Sequence, residues 1–222
     1  MKKIFLIILL IFFKTNLAHS LIEVDITRGN LDPLPIAVSP LHVDPKSDII
    51  KEIKVKELGE DISSIVEKNF KSTGLFNPLQ KESFVQKPDI AHLKPRFEDW
   101  RLIKAQALIT GKVLIKDNKL KVEFRLWDLT ASKEMLALAF TTTPTNWRRV
   151  AHIISDKIYE RLTGEKGYFD TRIIYVAESG PKNERVKKLA IMDQDGANNK
   201  FLTLGNELVL TLRFNTISQM IT

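Results

Sequence analysis

The sequence contains no cysteine among its 222 residues. Disulfide bonds, thiolate nucleophiles and cysteine-held zinc are therefore excluded for this chain. Its fold must be held by the packing of apolar side chains, since the hydrophobic residues make up 44% of the sequence. That content and this length are enough for the core of one or two domains.

A concentrated stripe of positive charge and a glycine-rich phosphate loop are also missing. The net charge is +7, but the basic clusters at 51–56 and 182–188 alternate with acidic and apolar residues. A nucleic-acid surface would combine a basic stripe with stacking aromatic side chains, and a phosphate loop would need closely spaced glycines. We therefore predict no nucleic-acid partner, no small-molecule substrate and no cofactor.

The signatures of catalysis are absent as well. The sequence has no Gly-x-Ser-x-Gly elbow and no His-x-x-x-His pair, and His42, His92 and His152 are single and far apart in the sequence. His152 lies next to an apolar helical stripe and is interpreted as a residue at the edge of the core. We predict no catalytic residues and no enzyme; a small enzyme would need an acid–base site that the sequence does not reveal.

One long apolar run is present, at the N-terminus. Met1-Lys2-Lys3 precedes Ile4 to Phe13, which is about half of the roughly 20 residues that a membrane span needs. This arrangement is typical of a secretory leader, and the small residues Ala18 and Ser20 predict cleavage after Ser20. The alternative is a buried N-terminal helix. We predict a signal peptide at 1–20 and an exported mature protein.

The region 21–165 has the periodicities of an α+β domain. Residues 21–30 alternate apolar and polar side chains, which predicts a strand that either docks on its own domain or is released from it. Further strands are predicted at 34–40, 83–86 and 133–143, and a hairpin over 113–129 is predicted to turn at Asp117-Asn118. Helices are predicted at 57–73, at 97–104, and from Gly164 back to Thr145, whose side chain would cap the helix. Two helices across a mixed sheet of about five strands make the domain.

The region 166–222 has a different composition. Short strands at 172–178, 186–193 and 201–204 are separated by turn-rich segments, which predicts an all-β unit. The turn "DQDGANNK" could be a calcium loop, but Ala197, Asn198 and Leu204 stand where an EF-hand needs an acid or amide, a glycine and a glutamate. We therefore predict no metal site, and an ordinary turn in which Gly196 adopts a positive φ.

The order of these features resembles the TolB proteins of the Tol-Pal system. The stretches "IEVDITRG", "PIAVSP" and "TRIIYVAES…KKLAIMDQDGANNKFLT" carry the resemblance, which covers essentially the whole chain. It implies a periplasmic, non-enzymatic protein with an N-terminal α/β domain and a six-bladed β-propeller. In that family the propeller holds the peptidoglycan-associated lipoprotein Pal, and the N-terminal strand binds TolA during cell division. The TolA contact then falls on Ile22, Glu23, Val24, Asp25, Ile26, Thr27, Arg28 and Gly29.

The sequence departs from this family in the length of its second region. A propeller blade takes about 40 to 45 residues, so the chain from Thr171 onward holds roughly one blade. A single repeat cannot bury its own faces. We expect a shortened TolB-type chain in which only the N-terminal domain folds by itself and Pal binding is lost. The alternative is a non-functional fragment of a decayed gene.

Overall fold

The computed structural model describes residues 22, 24, 32–51 and 53–205. Six strands form the main sheet: β1 (Leu34–Val38), β2 (His42–Val43), β3 (Phe76–Pro78), β4 (Ala107–Lys116), β5 (Lys119–Asp128) and β6 (Lys133–Thr142). Their order is β3-β1-β4-β5-β6, and β2, which is outside this order, pairs with β4. The pairs β1–β3, β1–β4 and β2–β4 are parallel, whereas β4–β5 and β5–β6 are antiparallel. The predicted mixed sheet is confirmed, with six strands in place of about five.

The β4–β5 hairpin has the register that the sequence predicts. Lys116 pairs with Lys119, Ile115 with Leu120, and Val113 with Val122. The turn residues Asp117 and Asn118 have φ values of 50° and 55°, as a two-residue hairpin turn requires. Because side chains alternate along a strand, this register places one apolar row on a single face of the sheet.

Two long helices cover that apolar face. They are α1 (Leu58–Thr73) and α4 (Trp147–Thr163), with the short helices α2 (Pro88–Ala91) and α3 (Phe97–Leu102) between them in the chain. The core between helices and sheet includes the fully buried Leu58, Ile62, Phe70, Ile154 and Ile158. A smaller core on the opposite face includes Trp100, Leu108 and Leu129.

Glycine ends both long helices as predicted. Gly74 follows α1 with a φ of 70°, and Gly164 follows α4 with a φ of 76°. Glycine adopts this left-handed conformation without the clash that a Cβ would cause, so the chain can leave each helix sharply.

Three local predictions are wrong. The strand predicted at 83–86 is absent; β3 lies earlier, at Phe76–Pro78, and Phe84 instead packs against Trp100. Thr145 does not cap α4, because a 3₁₀ turn at Pro144–Asn146 comes first and the cap residue Asn146 makes no side-chain capping bond. The last described strand is Lys200–Phe201, where the sequence predicts 201–204.

A second, small sheet follows the main one. It consists of β7 (Arg172–Ser179), β8 (Val186–Asp193) and β9 (Lys200–Phe201), all antiparallel. Ala190 is the one fully buried residue among the described residues of these strands, and Phe201 is exposed. The two-part α+β organisation agrees with the predicted fold class. None of the helices that the described residues form has the length and apolar character needed to cross a bilayer.

Gly59 gives a test of the packing between α1 and the main sheet. An added Cβ would lie 1.9 Å from the carbonyl oxygen of Leu41, whose amide donates a hydrogen bond to the Gly59 oxygen at 3.1 Å. Backbone cannot yield as a flexible side chain can, so Gly59→Ala should lower the free energy of unfolding by about 2–4 kcal/mol. Urea unfolding followed by circular dichroism measures the loss.

Gly74→Ala is the matched control. An added Cβ there meets no atom within 4 Å, so the alanine bears only the cost of its positive φ, about 1 kcal/mol. Equal losses for the two variants would contradict the close approach of Leu41 to Gly59.

Candidate partner-binding site

The N-terminal segment predicted to bind a partner is attached to the main sheet and its helices at two points. The amide of Ile22 donates to Asp128 Oδ2 at 3.2 Å, and the amide of Val24 donates to the carbonyl oxygen of Leu162 at 2.7 Å. Both side chains pack, partly buried, against the main core. The other six predicted residues, Glu23, Asp25, Ile26, Thr27, Arg28 and Gly29, lie outside the described residues.

The positions of Leu162 and Asp128 in their elements explain why their oxygen atoms can accept these two amides. Leu162 is in the last turn of α4, where carbonyl oxygens have no partner inside the helix. Asp128 ends β5, is fully buried, and also accepts the amide of Ala131 at 2.8 Å through Oδ1. Ile22 and Val24 therefore satisfy buried or helix-end oxygens of their own domain.

A buried polar cluster lies where α1, α4 and the small sheet meet. Its centre is Asn69 of α1, whose Nδ2 is 3.1 Å from His152 Nδ1 and donates to Ser155 Oγ at 2.9 Å. Asn69 Oδ1 accepts Gln194 Nε2 at 3.0 Å. We call Asn69, His152, Ser155, Gln194 and the turn that follows β8 the junction. It fixes the small sheet to the two helices by hydrogen bonds.

The turn at 193–198 presents carboxylates to α4. Gly196 has a φ of 84° and donates its amide to the Asp193 oxygen at 2.9 Å, so the predicted turn is confirmed. Asp195 Oδ2 accepts Arg148 Nη2 at 2.5 Å and lies 3.6 Å from His152 Nε2. The acidic turn thus contacts one face of α4, through a guanidinium and an imidazole.

His152 is held as a neutral side chain. It is 2% exposed, and burial lowers its pKa; Arg148 lowers the pKa further, whereas Asp195 and Asp193 raise it. With Asn69 Nδ2 oriented toward His152 Nδ1, the acceptor role is assigned to Nδ1 and the ring proton to Nε2. That Nε2 has no hydrogen-bond partner among the described residues. An unpaired buried donor of this kind is uncommon in folded proteins.

Asp156 holds the segment between α4 and the small sheet. Its Oδ1 accepts the amide of Phe169 at 2.6 Å, and its Oδ2 accepts the amide of Asp170 at 3.1 Å. Burial raises the pKa of Asp156, while the two amides act in the opposite direction. Phe169 is fully buried in the main core. The segment that leads from α4 to the small sheet is therefore packed against α4.

Two of the histidines that are far apart in the sequence lie together. The rings of His42 and His92 stack with a centroid separation of 4.4 Å and an angle of 7°. Burial, followed by the neighbouring His92, lowers the pKa of His42. His42 also lines a cleft of about 690 Å³ with Pro40, Val43 and Pro88. No motif in the sequence indicates this pair, because its members come from β2 and from the end of α2.

Comparison with known proteins decides the family. The sequence profile of the TolB amino-terminal domain matches residues 22–135, and that of the TolB beta propeller domain matches residues 159–222. The chain belongs to the TolB family. Its resemblance to TolB proteins is thus confirmed, and the first matched residue is Ile22, where the predicted partner segment begins.

Two relatives show how much of a TolB protein this chain represents. The Tol-Pal system protein TolB of Pelagibacter ubique (strain HTCC1062) is 66% identical over 224 residues, covering 100% of this chain and 50% of that protein. The chain therefore spans about half the length of the curated relative. The crystal structure of TolB from Acinetobacter baumannii has the same fold, with a TM-score of 0.66 and 22% identity over 82% of this chain and 41% of the other.

The hydrogen bonds of the junction can be tested by a double-mutant cycle. Asn69→Ala leaves His152 Nδ1 and Gln194 Nε2 without their partner, which should lower the free energy of unfolding by about 1–3 kcal/mol. Gln194→Ala should cost less once Asn69 is already absent, because the two side chains share one bond. Urea unfolding of the two single variants and the double variant gives the coupling energy.

Asn77→Ala is the control for the cycle. Asn77 is an exposed residue of β3, so its loss should change the free energy of unfolding by less than about 0.5 kcal/mol. Additive losses for Asn69 and Gln194 would show that the small sheet does not depend on this contact.

Proposed function

We propose that this chain is a non-enzymatic, periplasmic component of the Tol-Pal system that binds TolA through residues 22–29. Membership of the TolB family supports this function, and the 66% identical relative is named as a Tol-Pal system protein. The role that we infer is to help to couple the outer membrane to the energised inner membrane during constriction of the cell. Residues 1–20 act as the export signal.

The structural observation that supports the proposal is that the segment 22–29 is hydrogen-bonded to the domain at its first residues. Ile22 and Val24 are bonded to Asp128 and Leu162, so the beginning of the segment has a fixed place on the domain. A segment of alternating apolar and polar residues suits binding by strand addition, in which backbone amides and carbonyls of partner and segment pair. Such binding uses main-chain hydrogen bonds for affinity and every second side chain for specificity.

We propose TolA, and not Pal, as the partner of this chain. The resemblance attributes Pal binding to the face of an assembled propeller, and the described part of the second region forms a small sheet of three strands. We also propose a division into an α/β domain at 21–165 and a propeller region at 166–222. The absence of enzymatic activity follows from the family role, in which the protein acts by contact alone.

The TolA contact can be tested with immobilised TolA. The chain starting at Leu21 should be captured, and deletion of 21–30 should reduce capture by more than about tenfold, which corresponds to about 1.4 kcal/mol. Surface plasmon resonance gives the affinity, and thermal melting shows whether the deleted protein still folds after losing the contacts of Ile22 and Val24.

A variant with the order of residues 21–30 scrambled is the matched control, because it keeps length and composition and changes only the sequence. It should bind TolA as poorly as the deletion. If the deletion and the intact chain are captured equally, the assignment of this segment is wrong. If neither is captured, the alternative of a non-functional fragment of a decayed gene is favoured.

A further inference from the structure

Three metal-binding side chains converge at the junction. His152 of α4 and the turn residues Asp193 and Asp195 each offer one ligand atom, and these atoms lie within 4.8 Å of one another; no other such group occurs among the described residues. Close carboxylates alone do not make a metal site. The buried and unpartnered Nε2 of His152, aimed at Asp195, is the independent observation that points to a ligand. We propose that His152, Asp193 and Asp195 bind a divalent transition-metal ion of the zinc class.

The donor set selects the class of ion. One imidazole nitrogen and two carboxylate oxygens are ligands typical of zinc, with three protein ligands and one position left for water. Calcium and magnesium prefer sites made of oxygen alone. His152 Nε2 and Asp195 Oδ2 are 3.6 Å apart, close to the ~3.4 Å that separates two ligands of a tetrahedral zinc ion with bonds of about 2.0–2.1 Å.

Asp193 has room to complete the site. Its side chain is partly exposed and lines a cleft of about 320 Å³ together with Asn198 and Arg172. Asp193 Oδ2 accepts Asn198 Nδ2 at 2.5 Å, which leaves further lone pairs on the carboxylate for an ion. Its ligand atom lies within 4.8 Å of the other two, so a shift of at most about 1.4 Å brings it to the ~3.4 Å separation of ligands on a tetrahedral zinc ion. Asp193 is the one of the three proposed ligands that lines this cleft.

The hydrogen bonds around His152 can adapt to a bound ion. Coordination through Nε2 requires the ring proton on Nδ1, which must then donate to Asn69. Rotation of the Asn69 amide presents Oδ1 to His152, and Gln194 can rotate with it to accept from Nδ2. The Ser155 hydroxyl then turns to donate to Asn69. Asn69, His152 and Ser155 each keep a hydrogen-bond partner in the metal-bound arrangement.

Arg148 competes with the ion for Asp195. Its Nη2 lies 2.5 Å from Asp195 Oδ2, and the side chain is 26% exposed, so the guanidinium can turn toward solvent when a divalent ion takes its place. Two cations beside one carboxylate repel each other. Removing the charge of Arg148 should therefore strengthen metal binding, a result that a purely structural contact would not give.

The test is titration of the whole chain with Zn²⁺ by calorimetry, with Co²⁺ as the spectroscopic probe. We expect one equivalent to bind, a Co²⁺ absorption band typical of four-coordination, and a rise in melting temperature with Zn²⁺ but not with Ca²⁺ or Mg²⁺. His152→Ala and Asp193→Asn should each weaken binding by about 100-fold or more, while Arg148→Met should strengthen it about tenfold. His42→Ala, which removes a ring of the stacked pair, should leave the affinity unchanged.

Three results would overturn the site: no bound Zn²⁺, equal binding by the Asp193→Asn variant, or weaker binding by Arg148→Met. An effect of His42→Ala equal to that expected for Asp193→Asn would place the ion at the stacked histidines and also refute the proposal. If His152→Ala does not fold, Asp193→Asn and Arg148→Met still decide the question, because both side chains are partly exposed and their predicted effects are opposite in sign.

Discussion

The packing of α1 and α4 side by side on one apolar face of the main sheet is the constraint on which the other features depend. It brings Asn69 against His152 and Ser155, although more than 80 residues separate them in the sequence. It also positions Leu162, in the last turn of α4, so that its carbonyl oxygen accepts a hydrogen bond from the amide of Val24. The junction therefore uses polar side chains of α1 and α4, and the N-terminal segment uses a carbonyl oxygen of α4 that has no partner inside the helix.

The small sheet is held by polar contacts more than by apolar burial. Ala190 is fully buried, whereas Ile173, Val186 and Phe201 are exposed, so these strands gain little from the hydrophobic effect within the described residues. Gln194 and Asp195 supply hydrogen bonds to α1 and α4 instead, and Asp156 fixes the segment that leads to β7. Such contacts are directional and leave costly unpaired groups when they are displaced, so they define one orientation for the sheet.

The parts of this fold that could be predicted from the sequence are those set by local geometry. The period of two along β4 and β5, together with Asp117-Asn118, determines which side chains face each other, and Gly74 and Gly164 determine where α1 and α4 end. Tertiary context decides the rest. The strand β3 exists because it pairs with β1, and Thr145 is not a cap because the 3₁₀ turn starts one residue earlier. His152, which the sequence predicts at the edge of the core, is buried, and its neighbours come from α1 and from the turn after β8, which no sequence spacing connects.

The attachment of Ile22 and Val24 affects how a strand-adding partner can use the segment. To pair with both residues, TolA would have to break their two hydrogen bonds, at about 1 kcal/mol each, and remove two half-buried side chains from the core, at about 1 kcal/mol each. A cost of about 4 kcal/mol would weaken binding by about 1,000-fold. Pairing with the residues after Val24 avoids this cost and keeps the segment anchored. If the chain binds TolA through residues 22–29 as proposed, the pairing is therefore expected at residues 25–29, while Ile22 and Val24 keep the beginning of the segment attached to the domain.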